Sequence, residues 1–212
     1  MRIIIFLISL VFLSSCSGTS NNHVPASDSI SAKDSLKKAM QEDLPDPSDI
    51  KQFNWFYSAF VHSATTGDDS LFNILIHPKY GLWVIHSEGA LPAFTKIKSI
   101  LDYKNADGSK LLPFKREPML SMPKEEELPV VNCDNKNFYS KSGCFTTLEN
   151  VFLEQKIWKS AGLAADQDKL IEESAATISR TVINTEMYRF YFSLINGTWY
   201  LTFIDVRKPC NA

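Results

Sequence analysis

Apolar residues recur along the chain in two rhythms, and each predicts its own kind of element. Ile50, Phe53, Tyr57, Phe60 and Ala64 follow spacings of three and four, which places them on one helix face. Asp46, Ser48 and Asp49 supply capping oxygens and negative charge at its start, and Gly67 ends it. Asp68-Asp69-Ser70 then caps a shorter helix carrying Leu71, Phe72, Leu75 and Ile76, stopped by Pro78. After a turn at Tyr80-Gly81, residues 82–86 read as a strand, followed by a turn at Glu88-Gly89. Pro92 suits the first turn of a third helix, with Phe94, Ile97 and Leu101 on one side and Lys96, Lys98, Asp102 and Lys104 left in water. From Asp107-Gly108 to about Pro129 the chain is rich in Pro, Lys and Glu and predicts a long irregular excursion. Residues 128–131 follow as a short strand. Leu148, Val151, Phe152 and Trp158 predict another amphipathic helix ending near Gly162, and residues 165–175 extend it or form a further turn.

The second rhythm, alternation, dominates the carboxyl end. Residues 187–195 and 198–206 flank Asn196-Gly197, the pair preferred in a two-residue type I′ hairpin. With Ile195 opposite Thr198, one face collects Leu194 with Trp199, Phe192 with Leu201, Phe190 with Phe203 and Tyr188 with Asp205. The other face, with Ile195, Ser193, Arg189 and Met187 against Thr198, Tyr200, Ile204 and Val206, is more mixed. The aromatic face is therefore assigned to the core, because a one-residue slip would scramble both sets. Residues 177–183 predict a third antiparallel strand.

The amino terminus carries a different pattern. Arg2 precedes a nearly unbroken apolar run over residues 3–13, too short for a permanent membrane span, and Leu13-Ser14-Ser15-Cys16 closes it. This resembles the lipobox of bacterial lipoproteins. The resemblance implies cleavage after residue 15, with diacylglycerol on the Cys16 thiol and a further acyl chain on its new amino group. Several chains at roughly 0.8 kcal/mol per buried CH₂ make such an anchor effectively permanent. Ser17 and Gly18 do not resemble the acidic residues of inner-membrane retention or surface-export signals, so the expected address is the outer membrane, facing the periplasm. Residues 16–47 lack periodicity and are rich in Ser, Asn, Asp and Ala, with Pro25, Pro45 and Pro47, as expected of a tether. Within them, Asp28-Ser29-Ile30 and Asp34-Ser35-Leu36 resemble a short O-glycosylation sequon of some Gram-negative envelope proteins.

Residues 48–212 are expected to form one α+β domain, with N-terminal helices packed on one side of a curved antiparallel sheet. The order of elements over residues 50–206, and the Asn-Gly-Thr-Trp-Tyr-Leu ending, resemble the NTF2-like cone fold. That resemblance implies a small-molecule site at the cone mouth. Some members are isomerases or dehydratases and many are accessory binding domains, so fold alone selects no activity.

Composition narrows the partners. The chain has 212 residues and a net charge of −2, which becomes −3 when Arg2 leaves; no basic stripe interleaved with aromatics is present, so nucleic acid is excluded as a partner. No G-x-S-x-G elbow, phosphate-binding glycine loop or dinucleotide fingerprint occurs, and no cofactor is implied. Asp205, at the end of an otherwise apolar face opposite Tyr188, is the leading catalytic candidate, as a base or a polar anchor at a pocket mouth. The duller reading is a strand end reaching water. His23, His62, His77 and His86 show no metal-binding spacing; His86 with Glu88 is the best acid/base or metal pair, but a third ligand is missing.

Beyond Cys16, three cysteines remain in a compartment that permits disulfides. Cys133 with Cys144 would close a polar loop; either with Cys210 would instead pin the carboxyl end. Two functions stay open. One is a non-catalytic envelope lipoprotein, held to the membrane through Cys16, whose domain binds a small molecule, a glycan or an envelope protein. The other is an NTF2-like enzyme moving a proton with Asp205, assisted by Tyr188 or His86.

Overall fold

The computed structural model describes residues 46–210 apart from Asn137 and the side chain of Glu88. The expected signal, Cys16, His23, both Asp-Ser sites and the expected tether up to residue 45 lie outside the described residues. Helix α1, Ile50–Thr66, starts where the Asp49 carboxylate accepts from the N–H groups of Lys51 and Gln52, and stops at Gly67 with φ 70°. Its three-four spacing buries Phe53, Phe56, Tyr57, Phe60 and Ala64. Asp68 caps α2, Asp69–Ile74, by accepting from Leu71 N–H.

Strands β1 (Leu82–Glu88), β2 (Leu91–Ile97), β3 (Lys124–Glu125), β4 (Cys144–Thr147), β5 (Ile178–Asn184), β6 (Arg189–Ile195) and β7 (Thr198–Asp205) form one sheet, ordered β2-β1-β7-β6-β5-β4-β3. The expected antiparallel sheet is in fact mixed, because β1 runs parallel to β7 and β3 parallel to β4. The third helix expected from Pro92 is instead β2. Gly89, at φ 80°, opens a two-residue loop that folds residues 91–97 back onto β1, and β2 lies at the sheet edge, where Pro92 is tolerated. Residues 128–131 hold one bridge, Val131 to Tyr139, rather than a strand. The helix expected around residues 148–162 is divided into α4 (Val151–Gln155) and a 3-10 turn (Ile157–Ser160), with α5 (Ala165–Ala175) a separate helix. A four-residue helix, α3 (Arg116–Met119), interrupts the excursion.

The carboxyl hairpin forms around Asn196 and Gly197, both left-handed at φ 51° and 77°. Pairing follows the expected register from Ile195 with Thr198 to Phe192 with Leu201, then shifts by one residue at Thr202. The expected pairs Phe190–Phe203 and Tyr188–Asp205 are replaced by Phe190–Ile204, Tyr191–Phe203 and Arg189–Asp205. This bulge turns Phe203 and Asp205 to the opposite face and brings Ile204 to the first. The Thr202 hydroxyl, left at the irregularity, meets Ser193 Oγ at 2.5 Å.

Both faces are consequently covered, not one. The first face packs Phe190, Phe192, Leu201 and Ile204 against α1. On the second, Trp83, Ile85, Tyr191 and Phe203 lie under Phe152, Trp158 and Ile171 from α4, the 3-10 turn and α5. The Phe152 and Phe203 rings stand 4.4 Å apart.

Candidate functional site

The second face is not covered over its whole length. Thr181, Ile183, Arg189 and Tyr191 of β5 and β6 form the floor of an open groove of about 460 Å³, between α4 and a wall made by residues 127–131 and Tyr139. That wall has little regular structure and is fixed by a few bonds. Val130 N–H donates to Ser140 Oγ at 3.0 Å, and Ser140 N–H donates to Val130 O at 2.8 Å. A disulfide joins Cys133 to Cys210, with Cα atoms 5.6 Å apart. The chain beyond β7 is thus tied to the groove wall.

That bond corrects the pairing of Cys133 with Cys144 in favour of its rival. Cys144 sits on β4, buried, with its Sγ 3.5 Å from the Tyr57 hydroxyl, and is a free thiol. Burial pushes this thiol up to about 11. A neutral, enclosed sulfur of this kind is a small core side chain rather than a nucleophile.

Asp205 does not line the groove itself but pairs with Arg189, which does, in a setting its sequence position did not foretell. It is fully buried. Its Oδ2 accepts from Arg189 Nη2 at 2.9 Å and Arg207 Nη2 at 2.8 Å, while Oδ1 accepts from Arg207 Nε at 2.9 Å and from Arg207 N–H at 3.1 Å. Two guanidinium groups on one carboxylate leave an excess positive charge. Burial works against the Arg189 charge, but the Asp205 carboxylate outweighs it and holds the guanidinium above its usual range. Burial, then the Asp205 charge, raises the Tyr191 phenol, which stays a neutral donor. Arg189 Nε is buried and has no hydrogen-bond partner among the described residues.

The three candidates are not brought together. Tyr188 packs on the first face, its ring 5.2 Å from Phe114. His86 follows Ile85, the partner of Asp205 in the parallel pairing, and therefore points to the face opposite Asp205. Its Nε2 lies 3.0 Å from Thr95 Oγ1. Arg189, Tyr191 and Tyr139, which surround Asp205 in its place, escaped the sequence reading. Arg189 was visible there as the charge on the mixed face, but joining it to Asp205 requires the bulge.

Among the described residues no three His, Cys, Asp or Glu side chains are arranged to hold a metal ion, and no helix is long and apolar enough to cross a membrane. A second groove, of about 530 Å³, lies between α1, α2 and the tip of the β6–β7 hairpin, and its lining, which includes the exposed Trp55, is uncharged. Fold and groove together define an α+β domain with a charged, concave surface beside a tied wall. No family model, curated protein or solved structure matches the chain.

Proposed function

We propose that the protein is a lipid-anchored component of a bacterial envelope, held by acyl chains on Cys16 in the outer membrane and facing the periplasm. Residues 16–47 tether a non-catalytic binding domain, residues 48–212, whose groove over Arg189 and Tyr191 receives a small ligand. The anchoring half of this reading rests on the Arg2, apolar-run and Leu-Ser-Ser-Cys pattern. The binding half rests on one observation: Asp205 spends its acceptor capacity on Arg189 and Arg207. A fully buried carboxylate with both oxygens so occupied orients cations and offers no free face to a substrate, which weighs against the enzyme reading. The NTF2-like cone stays part of the proposal at the level of element order, with α1 laid on an antiparallel hairpin that ends in Asn-Gly-Thr-Trp-Tyr-Leu. The face beneath α1 is packed with aromatic rings, so the ligand site is assigned to the opposite face.

The test uses the full chain extracted from membranes. Its intact mass should exceed that of the chain starting at Cys16 by a diacylglyceryl group and an acyl chain, and Cys16→Ser should release the protein from the membrane fraction. Native mass spectrometry should detect a ligand that is lost when Val130→Trp fills the groove. A pH-dependent turnover abolished by Asp205→Asn alone would replace this reading with the enzymatic one.

A further inference from the structure

Resting on the binding role just proposed, the groove's own chemistry identifies a class of ligand. We infer that the groove binds a short peptide with free termini, its carboxylate received by Arg189 on the floor and its ammonium group by the acidic rim.

The charges are divided between two places. At the floor, Arg189 and Arg207 share one carboxylate, Asp205, which leaves a net positive charge in a setting with little water. Arg189 lines the groove, and its Nε is buried with no partner among the described residues. The guanidinium is mostly buried, and a ligand carboxylate placed against the part of Arg189 that lines the groove neutralises the surplus charge. The neighbouring Tyr191 and Tyr139 line the same floor and wall with phenols that burial keeps protonated. At the rim the sign reverses. Glu127 and Glu149 line the groove and are exposed, whereas Glu125 and Glu126 in the adjoining depression are paired with Arg180 and Lys141.

Between floor and rim the lining is apolar, supplied by Leu128, Val130, Val131 and Val151. A ligand matching this order carries an anion at one end, a cation at the other and small apolar groups between. A purely anionic ligand meets the glutamates with the wrong sign, and a purely cationic one leaves the floor unsatisfied. A volume of about 460 Å³ accommodates two or three residues of peptide rather than a folded partner. The disulfide from Cys133 to Cys210 keeps the wall in place over the floor, so the groove needs little ordering on binding.

The experiment presents the detergent-solubilised full chain with an equimolar library of tripeptides having free termini. Two companion libraries are amidated at the carboxyl end or acetylated at the amino end, and native mass spectrometry scores what is retained. Amidation should lower retention at least tenfold, acetylation severalfold, and Val130→Trp should abolish it. Arg189→Lys, which keeps the charge but loses the planar guanidinium, should weaken retention of the free library while leaving the amidated one unchanged. Equal retention of free and amidated peptides would overturn the carboxylate assignment while leaving the groove a binding site. A co-purifying non-peptide ligand, displaced by Val130→Trp in a protein that retains no peptide, would overturn the peptide class alone. Retention of nothing, before or after Val130→Trp, would overturn both this inference and the binding role.

Discussion

The two faces of the sheet are built from strands of similar composition and end in opposite states. Beneath α1, Phe192 stands within 6.0 Å, centroid to centroid, of Phe53, Phe56, Tyr57 and Phe60, each edge to face, leaving no opening over Phe192. On the other face, α4 and α5 cover Tyr191 and Phe203 but stop short of Arg189, where buried charge replaces aromatic packing. Long amphipathic helices seal a face; short helices and irregular chain leave an opening that polar groups then occupy. The sealed face carries stability and the open one is available for binding.

The sharpest way to break that contrast is Phe192→Ala, which removes a ring from the centre of the sealed face. It should destabilise the protein by about 3–5 kcal/mol, from lost burial, lost ring contacts and an unfilled cavity. Val130→Trp, on the exposed groove wall, should stay within about 0.5 kcal/mol of the parent. Urea unfolding of the two variants measures both effects, and comparable losses would mean the groove wall is part of the core.

Next in size is the tie that holds the wall. Replacing Cys133 and Cys210 together by serine frees residues separated by 77 positions, and the loop-closure entropy returned to the unfolded chain predicts a loss of about 2–4 kcal/mol. Replacing Cys144 should leave a thiol titration of the unfolded, unreduced, membrane-extracted chain at zero, because Cys133 and Cys210 are joined and the proposed diacylglyceryl group occupies the Cys16 sulfur.

The same comparison explains what was legible beforehand. The first rhythm placed α1 nearly to the residue and α2 at its start, because the caps Asp49 and Asp68 and the stop of α1 at Gly67 are local chemistry, but α2 ends at Ile74, short of the expected stop at Pro78. The hairpin was legible at its turn, where Asn196 and Gly197 act alone, but not beyond Phe192, since the bulge at Thr202 answers to contacts on both sides of the sheet. That one residue also decided the site. It moved Asp205 from Tyr188 to Arg189, and no periodicity in β7 announces it. The covering of the second face was hidden for another reason: Phe152 and Trp158 read as one amphipathic helix whose partner face the sequence does not name, and residues 107–150 are placed by scattered bonds such as those of the buried Arg180 to Glu125 and to Pro47 O.

A third and smaller effect separates the faces by pH. The Cys144 thiol, enclosed under Tyr57, ionises near 11 in the fold against an ordinary value of 9.0, because burial disfavours its charged form. A raised acid contributes its full stability below the unfolded value and loses it as pH climbs toward the folded one. Stability should therefore fall between about pH 9 and 11, with this thiol responsible for on the order of 2 kcal/mol. Tyr57 and Tyr191, both raised by burial, add to the decline in the same direction. Comparing urea midpoints of the parent and Cys144→Ala across that range isolates the thiol, and parallel curves would show that it is not buried as described.

The smallest effect tests the element that departed most from its sequence pattern. Phe94, Ile97 and Leu101 have helical spacing, yet β2 pairs with β1 along seven residue pairs from Leu82–Ile97 to Glu88–Leu91. What decides between the two is the turn, because Gly89 at φ 80° lets the chain reverse within two residues. A Cβ added at Gly89 meets nothing within 4 Å, so Gly89→Ala carries no steric clash, only the cost of holding alanine in a left-handed conformation. That cost is about 1 kcal/mol, or a fall of roughly 2–4 °C in Tm for a protein of this size. It should fall on the sheet edge first, as faster amide exchange in residues 91–97 with α1 unchanged. A helix over the same residues would need no left-handed residue at position 89, and the substitution would then leave both Tm and exchange where they are.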